Sequence, residues 1–100
     1  MEKIDIKNLK EMANFFSLFS DATRLKIVIF LLNSGEACCV NKISEALGLN
    51  QPAVSQQMRI LRNAGIVTYR REGKFIRYTI SDPFVKEIIQ IGINRFKEVK

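Results

Sequence analysis

A pair of short helical patterns joined by a three-residue turn constrains the fold of this chain more than any other feature. The first pattern, residues 40–47, ends at Gly48, a residue that favours the C-terminus of helices. The second, residues 51–64, follows Asn50, a good N-cap, and has Pro52 in its first turn, where a missing N–H costs nothing. Two helices joined in this way predict a helix-turn-helix.

Each of these two predicted helices has one apolar side. The inward residues are Ile43, Ala46 and Leu47 in the first helix and Val54, Met58 and Leu61 in the second. Recurrence at steps of three and four residues indicates an amphipathic helix packed on a core. The other side of the second helix is therefore left for solvent or for a partner.

After the second helix the apolar period changes from 3.6 residues to two, which indicates strands. Two strand-like runs, residues 66–71 and 74–80, are separated by a tight turn that contains Gly73, where a positive φ is expected. The tyrosines of these runs and Phe75 alternate with polar residues, so we expect them to pack toward the core. The hairpin, residues 67–80, is the predicted wing.

Helical patterns also occupy both ends of the chain. Residues 6–19 and residues 83–98 are amphipathic, whereas residues 23–32 are apolar on more than one side and predict the most buried helix. Asp21 and Asp82 supply N-cap chemistry for the helices that follow them.

These patterns together predict the order α-α-α-α-β-β-α. The expected fold class is mainly α with a small β-hairpin (α+β), a winged helix-turn-helix. We expect one domain over residues 1–100, because this length suits a single core.

Positive charge is concentrated in one third of the chain. The net charge is +6, and residues 50–80 hold six basic side chains against Glu72 alone, so that +5 of the excess lies there. A basic patch of this kind is typical of a face that binds nucleic acid. The alternative is an ordinary solvated basic surface, which charge alone does not exclude.

The polar side of the second helix carries residue types that read bases. Glutamine can bond adenine at N6 and N7, arginine can bond guanine at N7 and O6, and serine can serve base or phosphate. Solvation of a surface helix is the alternative, but the arginine-rich hairpin next to it favours DNA. The candidate DNA-contacting residues are Asn50, Gln51, Ala53, Ser55, Gln56, Arg59 and Arg62 on the helix, and Arg70, Arg71, Gly73, Lys74 and Arg77 on the wing.

Two long segments carry a family resemblance. LFSDATRLKIVIFLL and ISEALGLNQPAVSQQMRILRNAGIVTYRREGKFIRYTIS resemble the ArsR/SmtB family of winged-helix transcriptional repressors, over roughly residues 15–82. The resemblance implies a homodimer that binds a twofold-symmetric double-stranded DNA operator and leaves it when an inducer binds. Six of the helix candidates (Arg62 is outside them) match recognition-helix positions, and Arg70, Arg71, Gly73 and Lys74 match the wing. Gln57 stands where many members have histidine, at a hydrogen bond that links sensor site and DNA-binding helix.

A dimer is also expected from the terminal helices, about 6–19 and 83–98, because they carry more apolar surface than a small core can use. An exposed apolar patch of that size marks an interface. The alternative is that both helices pack inside one monomer. The candidate interface residues are Leu9, Met12, Phe15, Phe16, Phe19, Phe84, Ile88, Ile91 and Phe96.

The chain has two cysteines, Cys38 and Cys39, and no histidine. Neighbouring residues of an extended segment point to opposite sides, so this pair is poorly placed to chelate one ion, and a closed zinc site needs four donors. The favoured interpretation is that both are small buried hydrophobes. A thiol-based redox sensor and a sensor of a soft metal ion remain as alternatives. No cofactor is assigned.

The sequence therefore predicts a dimeric, sequence-specific DNA-binding regulator, with residues 51–64 in the major groove and the wing on the backbone or in the minor groove. A winged-helix module that binds proteins without reading DNA is the alternative. Without histidine, a phosphate-cradling glycine loop or a nucleophile–base pair, we expect no enzyme. The charged N-terminus and the absence of a long apolar run predict a cytoplasmic protein without a membrane span.

Overall fold

Within residues 1–97, a side chain caps the start of four of the five helices. Asp5, Asp21, Asn50 and Asp82 each stand at an N-cap and accept a hydrogen bond from a backbone N–H two or three residues further on. The caps at Asp21, Asn50 and Asp82 agree with the sequence prediction. The starts of these four helices are therefore determined by residues close to them in the sequence.

The computed structural model describes residues 1–97. The elements are α1 (Ile6–Ser17), α2 (Ala22–Ser34), β1 (Cys38–Cys39), α3 (Val40–Leu47), α4 (Gln51–Asn63), β2 (Val67–Glu72), β3 (Phe75–Ile80) and α5 (Pro83–Phe96). The predicted fold class is confirmed, with one strand, β1, that the sequence did not predict. The predicted end of the last helix at residue 98, and the end of the predicted domain at residue 100, lie outside the described residues.

The strand β1 turns the hairpin into a three-stranded antiparallel sheet. The strand order is β1-β3-β2, and Cys38 and Cys39 of β1 stand opposite Tyr78 and Arg77 of β3. Two residues are too few to show a period, so their pairing depends on a partner far along the chain. The sheet thereby fixes the wing to the residue that precedes α3.

The core lies between α2, α3, α4 and the sheet. Ile27 and Val28 of α2 are fully buried, and so are Val54, Met58 and Leu61 of α4, which confirms the predicted inward side of α4. A larger set of half-buried apolar side chains packs around these residues. The apolar side of α4 thus determines which way its polar side faces.

The inward side of α3 differs from the prediction at one residue. Ile43 is buried, but Ala46 is exposed, and Ser44 is buried in its place. The Ser44 hydroxyl donates a hydrogen bond to the backbone carbonyl of Leu49, so its burial leaves no unsatisfied polar group.

The expectation that the wing aromatics pack toward the core is right for Tyr78 and wrong for Tyr69 and Phe75. Tyr78 is buried on the central strand, whereas Tyr69 is 42% exposed and Phe75 is 44% exposed. Tyr69 lies on the edge strand β2 and Phe75 beside the turn, where the core no longer extends. Both rings are therefore available to side chains on the surface.

The terminal helices lie at the margin of the core. In α1 no residue is buried, and α5 buries only Val85 and Ile89. Phe15 and Phe19 of the α1 region pack edge to face, with ring centroids 5.3 Å apart. Within residues 1–97, no helix has the length and the hydropathy to cross a membrane.

Candidate nucleic-acid interface

The polar side of α4 faces solvent because its apolar side is locked into the core. Gln51, Ser55, Gln56, Arg59 and Arg62 are all exposed, and Ala53 is half-buried. The side chain of Asn50 accepts the backbone N–H of Ala53 at 2.8 Å, so this residue holds the start of the helix. The sequence-predicted residues of α4 are thus brought to one accessible surface.

Arg62 connects α4 to the wing. Its Nη2 donates a hydrogen bond to the Tyr69 hydroxyl at 2.8 Å, and its guanidinium carbon lies 3.9 Å from the centre of the Tyr69 ring. A guanidinium that stacks on a ring and also donates to its hydroxyl gains from both contacts. The sequence did not single out Tyr69, because it shows no signal for a contact between a helix and a strand.

The wing carries its cations around a tight turn. Gly73 has φ +61°, a conformation that side chains disfavour, and this permits the two-residue connection between β2 and β3. Glu72 forms ion pairs with Arg77 and, at 3.6 Å, with Arg70. Within residues 1–97 neither Arg71 nor Lys74 forms an ion pair, so both keep their charge for a partner.

A groove of about 510 Å³ runs between the start of α4 and the wing, and we refer to it as the helix–wing groove. The amide Nε2 of Gln51 donates a hydrogen bond to Oδ1 of Asn41 at 2.6 Å across its floor. Sequence reasoning missed Asn41, since nothing distinguishes it from a solvated residue in the first turn of α3. The groove is lined by Val40, Asn41, Gln51, Ser55, Lys74, Phe75, Ile76 and Tyr78.

On its inner side, α4 is tied to the junction of α1 and α2. Arg24 donates from Nη1 to Oε1 of Gln57 at 3.0 Å and from Nε to the carbonyl of Leu18 at 2.6 Å. Nε2 of Gln57 donates to Oδ2 of Asp21 at 3.4 Å. The glutamine that stands at the family's histidine position thus links α4 to the end of α1.

The two cysteines lie on opposite sides of β1. Cys38 is buried and Cys39 is half-buried, and both are free thiols. Among residues 1–97, no three side chains of the metal-ligating types come together in a group that could hold an ion. The donors that one protomer presents therefore do not fit a closed metal site.

Beside the cysteines, the Lys42 ammonium meets the Glu36 carboxylate at 2.6 Å. The hydrogen bond from Lys42, and then its charge, lowers the pKa of Glu36. The same hydrogen bond and charge raise the pKa of Lys42.

A second surface, formed by α1 and α5, is apolar and exposed, and we refer to it as the apolar face. Among the predicted interface residues, Phe15, Phe19 and Ile88 are half-buried, and Leu9, Met12, Phe16, Phe84, Ile91 and Phe96 are exposed. An open apolar cavity of about 370 Å³ is lined by residues of α2, of α5 and of the end of α1, and Gly92 is among them. Among residues 1–97, no atom beyond the adjacent residues and the local helix backbone lies within 4 Å of where a Cβ would stand on Gly92.

A capped helix-turn-helix that presents arginine, glutamine and serine beside a cationic hairpin defines a DNA-binding regulator of the winged-helix class. A model of the family described as bacterial regulatory protein, arsR family, matches residues 21–69. The chain is 33% identical over 93 residues to a CadC homolog, a cadmium resistance transcriptional regulatory protein of Staphylococcus aureus, covering 93% of this chain and 76% of that protein.

Two further proteins show the same likeness. An uncharacterized HTH-type transcriptional regulator of Methanocaldococcus jannaschii is 41% identical over 86 residues, which cover 86% of this chain and 96% of the relative. The crystal structure of AntR, an antimony-specific transcriptional repressor, matches with a TM-score of 0.88 at 29% identity and covers 97% of this chain and 86% of its own.

The chain belongs to the ArsR/SmtB family, and it is a DNA-binding transcriptional repressor. The resemblance drawn from the two quoted segments is therefore confirmed. The family consists of transcriptional regulators and not of enzymes, which confirms the prediction that the chain is no enzyme.

Proposed function

We propose that the protein is a cytoplasmic homodimer that represses transcription from a twofold-symmetric operator and leaves it when an inducer binds. In each protomer α4 enters the major groove, and the wing contacts the backbone or the minor groove. The observation that carries this proposal is the shared surface of α4 and the wing, where exposed arginine, glutamine and serine side chains stand on a fully buried apolar seam.

The apolar face supports the dimer. Phe16, Phe84, Ile91 and Phe96 are each more than half exposed, although they lie on amphipathic helices whose polar sides already face solvent. A patch of that kind is stabilised by burial against a second copy. A twofold-symmetric dimer is also what an operator of this kind needs, because successive major grooves lie about 34–36 Å apart and one α4 helix reaches only one of them.

The test begins by selecting duplexes from a random library with the full-length protein. Affinity for the selected duplex should fall steeply with salt, by about 10³–10⁵ between 50 and 200 mM if six to ten phosphates are contacted. A protein-interaction module would select no duplex, and that result would contradict the proposal.

Two variants then separate base reading from backbone binding. Changing Arg59 to Ala should cost about 1–3 kcal/mol per half-site and relax the base preference at one position. Changing Lys74 to Ala should weaken all duplexes alike and reduce the salt slope by about one per protomer. If Arg59→Ala leaves the selected sequence unchanged, Arg59 does not read a base.

The two thiols offer one candidate for the inducing signal, namely their oxidation. Cys39 is half-buried and lies in β1, which pairs with the wing, so oxidation there would disturb the sheet that supports the wing. A thiol sensor therefore predicts weaker DNA binding after oxidation, and Cys39→Ser should abolish that response. The same titration with metal-loaded protein tests a soft-metal sensor, and unchanged affinity in every arm would exclude both.

A further inference from the structure

We propose that the helix–wing groove binds the sugar–phosphate strand that separates the major groove from the minor groove, with Asn41 and Gln51 as donors to its phosphate oxygens. The inference rests on the proposed function, and it assigns a role to Asn41 that the sequence did not suggest. It also changes the role of Gln51 from a base reader to a backbone contact.

The position of the groove follows from its walls. One wall is the first turn of α4 and the other is the wing, at Lys74 and Phe75. In a duplex the major and minor grooves are separated by one sugar–phosphate strand. If α4 lies in the major groove and the wing in the adjoining minor groove, that strand must pass between them, through the helix–wing groove.

The chemistry of the lining suits phosphate. The hydrogen bond from Gln51 Nε2 to Asn41 Oδ1, at 2.6 Å, uses the acceptor of Asn41 and one of the two N–H groups of Gln51. Both N–H groups of Asn41 and the second N–H of Gln51 remain as donors. Phosphate oxygens only accept hydrogen bonds. Because the acceptor of Asn41 is already bonded to Gln51, the remaining N–H donors of the two amides are free to bind a phosphate.

The opposite side of the groove adds charge. Lys74 lines the groove, and its ammonium stands 5.7 Å from the centre of the Phe75 ring, which also lines it. Ser55 adds a hydroxyl donor from the next turn of α4. Amides, hydroxyl and ammonium therefore face the same space.

The amide pair also limits what Gln51 can read. A bidentate contact to adenine needs both the oxygen and the nitrogen of the glutamine amide. In this structure one of the two N–H groups of Gln51 is already bonded to Asn41, which fixes the orientation of the amide. Base preference should then depend on Gln56 and Arg59, which are exposed on α4.

Two substitutions of Asn41 test the assignment. In full-length protein, Asn41→Ala should weaken binding to the selected duplex and to an unrelated duplex by the same factor, about two- to tenfold, with the base preference unchanged. Asn41→Asp keeps an acceptor for Gln51 but places a carboxylate against phosphate, so it should weaken binding more than Asn41→Ala. An acidic residue in the first turn of α3 also favours the helix, so a folding defect would not explain this loss.

The matched control is Asn33→Ala, an exposed asparagine near the end of α2, which should bind like the wild type. Thermal unfolding of each variant shows that the fold is retained. The salt slope gives a further check, since loss of a neutral donor should leave it unchanged, whereas Lys74→Ala should reduce it.

Two results would overturn the inference. Wild-type affinity of Asn41→Ala would show that Asn41 contacts nothing on the DNA. Wild-type affinity of Asn41→Asp, together with an altered base preference in Asn41→Ala, would show that Asn41 acts only by holding Gln51 against a base. A wild-type protein that selects no duplex would instead contradict the proposed function itself.

Discussion

The DNA-binding surface and the apolar face differ in whether their side chains have partners within the same chain. On the surface of α4 and the wing, polar side chains have partners in the same chain: Gln51 bonds Asn41, and Arg62 bonds Tyr69. On the apolar face, large side chains such as Ile91 (67% exposed) and Phe96 (81% exposed) lie open to solvent. The first face is preorganised within one chain, whereas the second leaves large apolar side chains uncovered among the described residues.

The difference has a cause in the packing beneath each face. Three residues of α4, Val54, Met58 and Leu61, are fully buried, so the orientation of that helix is fixed by the core. In α1 no residue is buried, so packing within the single chain stabilises this helix only weakly. Burial stabilises by roughly 25 cal/mol per Å² of apolar surface, so covering the apolar face in the proposed dimer would stabilise α1 further.

The largest expected effect comes from a charge on the apolar face. Ile91→Glu puts a carboxylate on a side chain that is 67% exposed in the protomer, where it should leave the fold intact. In a dimer the charge is buried without a partner, at about 3–5 kcal/mol, so the dimer should dissociate at least about 100-fold more readily. Sedimentation equilibrium measures this constant.

Phe75→Glu is the matched control on the wing, since Phe75 is also exposed and apolar. It should leave the dimer constant unchanged while it weakens DNA binding. If Ile91→Glu stays as dimeric as the wild type, the apolar face is not the interface and the contrast between the two faces fails.

A smaller effect is expected at Gly92. Glycine in a helix interior costs about 1 kcal/mol relative to alanine, and within residues 1–97 no packing neighbour from outside its own helix turn explains its presence. If a helix of a second copy passes close to Gly92, the added methyl group of Gly92→Ala should weaken the dimer by about 1–3 kcal/mol through overpacking. In the single chain the same substitution should stabilise α5, because alanine favours a helix more than glycine does. A variant that melts higher and dimerises as tightly as the wild type would place Gly92 outside the contact.

The preorganisation of the DNA-binding surface can be tested at Tyr69. Tyr69→Phe keeps the ring but removes the hydroxyl that accepts from Arg62, so DNA affinity should fall by roughly two- to fivefold while stability changes by about 0.5 kcal/mol. Arg62→Lys, which keeps the charge but not the planar stack, should behave similarly. Both are measured by fluorescence anisotropy with the selected duplex, and unchanged affinity in both would show that this contact positions nothing.

The smallest effect concerns the pair formed by Glu36 and Lys42, because both groups are exposed. The hydrogen bond and charge of Lys42 lower the pKa of Glu36, so the stabilisation from this carboxylate is complete above its unfolded pKa and is lost as pH falls through the lowered value. Lys42→Met should return the pKa of Glu36 toward its ordinary value in a carboxyl NMR titration, whereas Lys86→Met should not. An unchanged Glu36 titration in Lys42→Met would show that the pair does not form in solution.

The sequence was informative wherever structure depends on neighbours along the chain. The caps at Asp21, Asn50 and Asp82, the buried seam of α4 and the hairpin turn at Gly73 were all predicted, because each follows from residues a few positions apart. The family resemblance then added the expected dimer and operator.

Contacts between distant elements were not predictable. The bond between Asn41 and Gln51 joins two helices, and the stack of Arg62 on Tyr69 joins a helix to an edge strand. The sequence also has no period over the two residues of β1. Each of these features depends on tertiary placement, which neither propensity nor spacing encodes.

The short strand β1 connects the wing to the helix-turn-helix. Because β1 pairs with β3 directly before α3 begins, a hydrogen-bonded ladder joins the wing to the first helix of the helix-turn-helix. The wing and the start of α3 are thereby held together, and in the proposed dimer the separation of two such units would be set where the two copies meet. If the proposed dimer forms, a small rotation at that contact would move the two units out of step with the helical repeat of DNA, and the operator would be released without any change inside either unit.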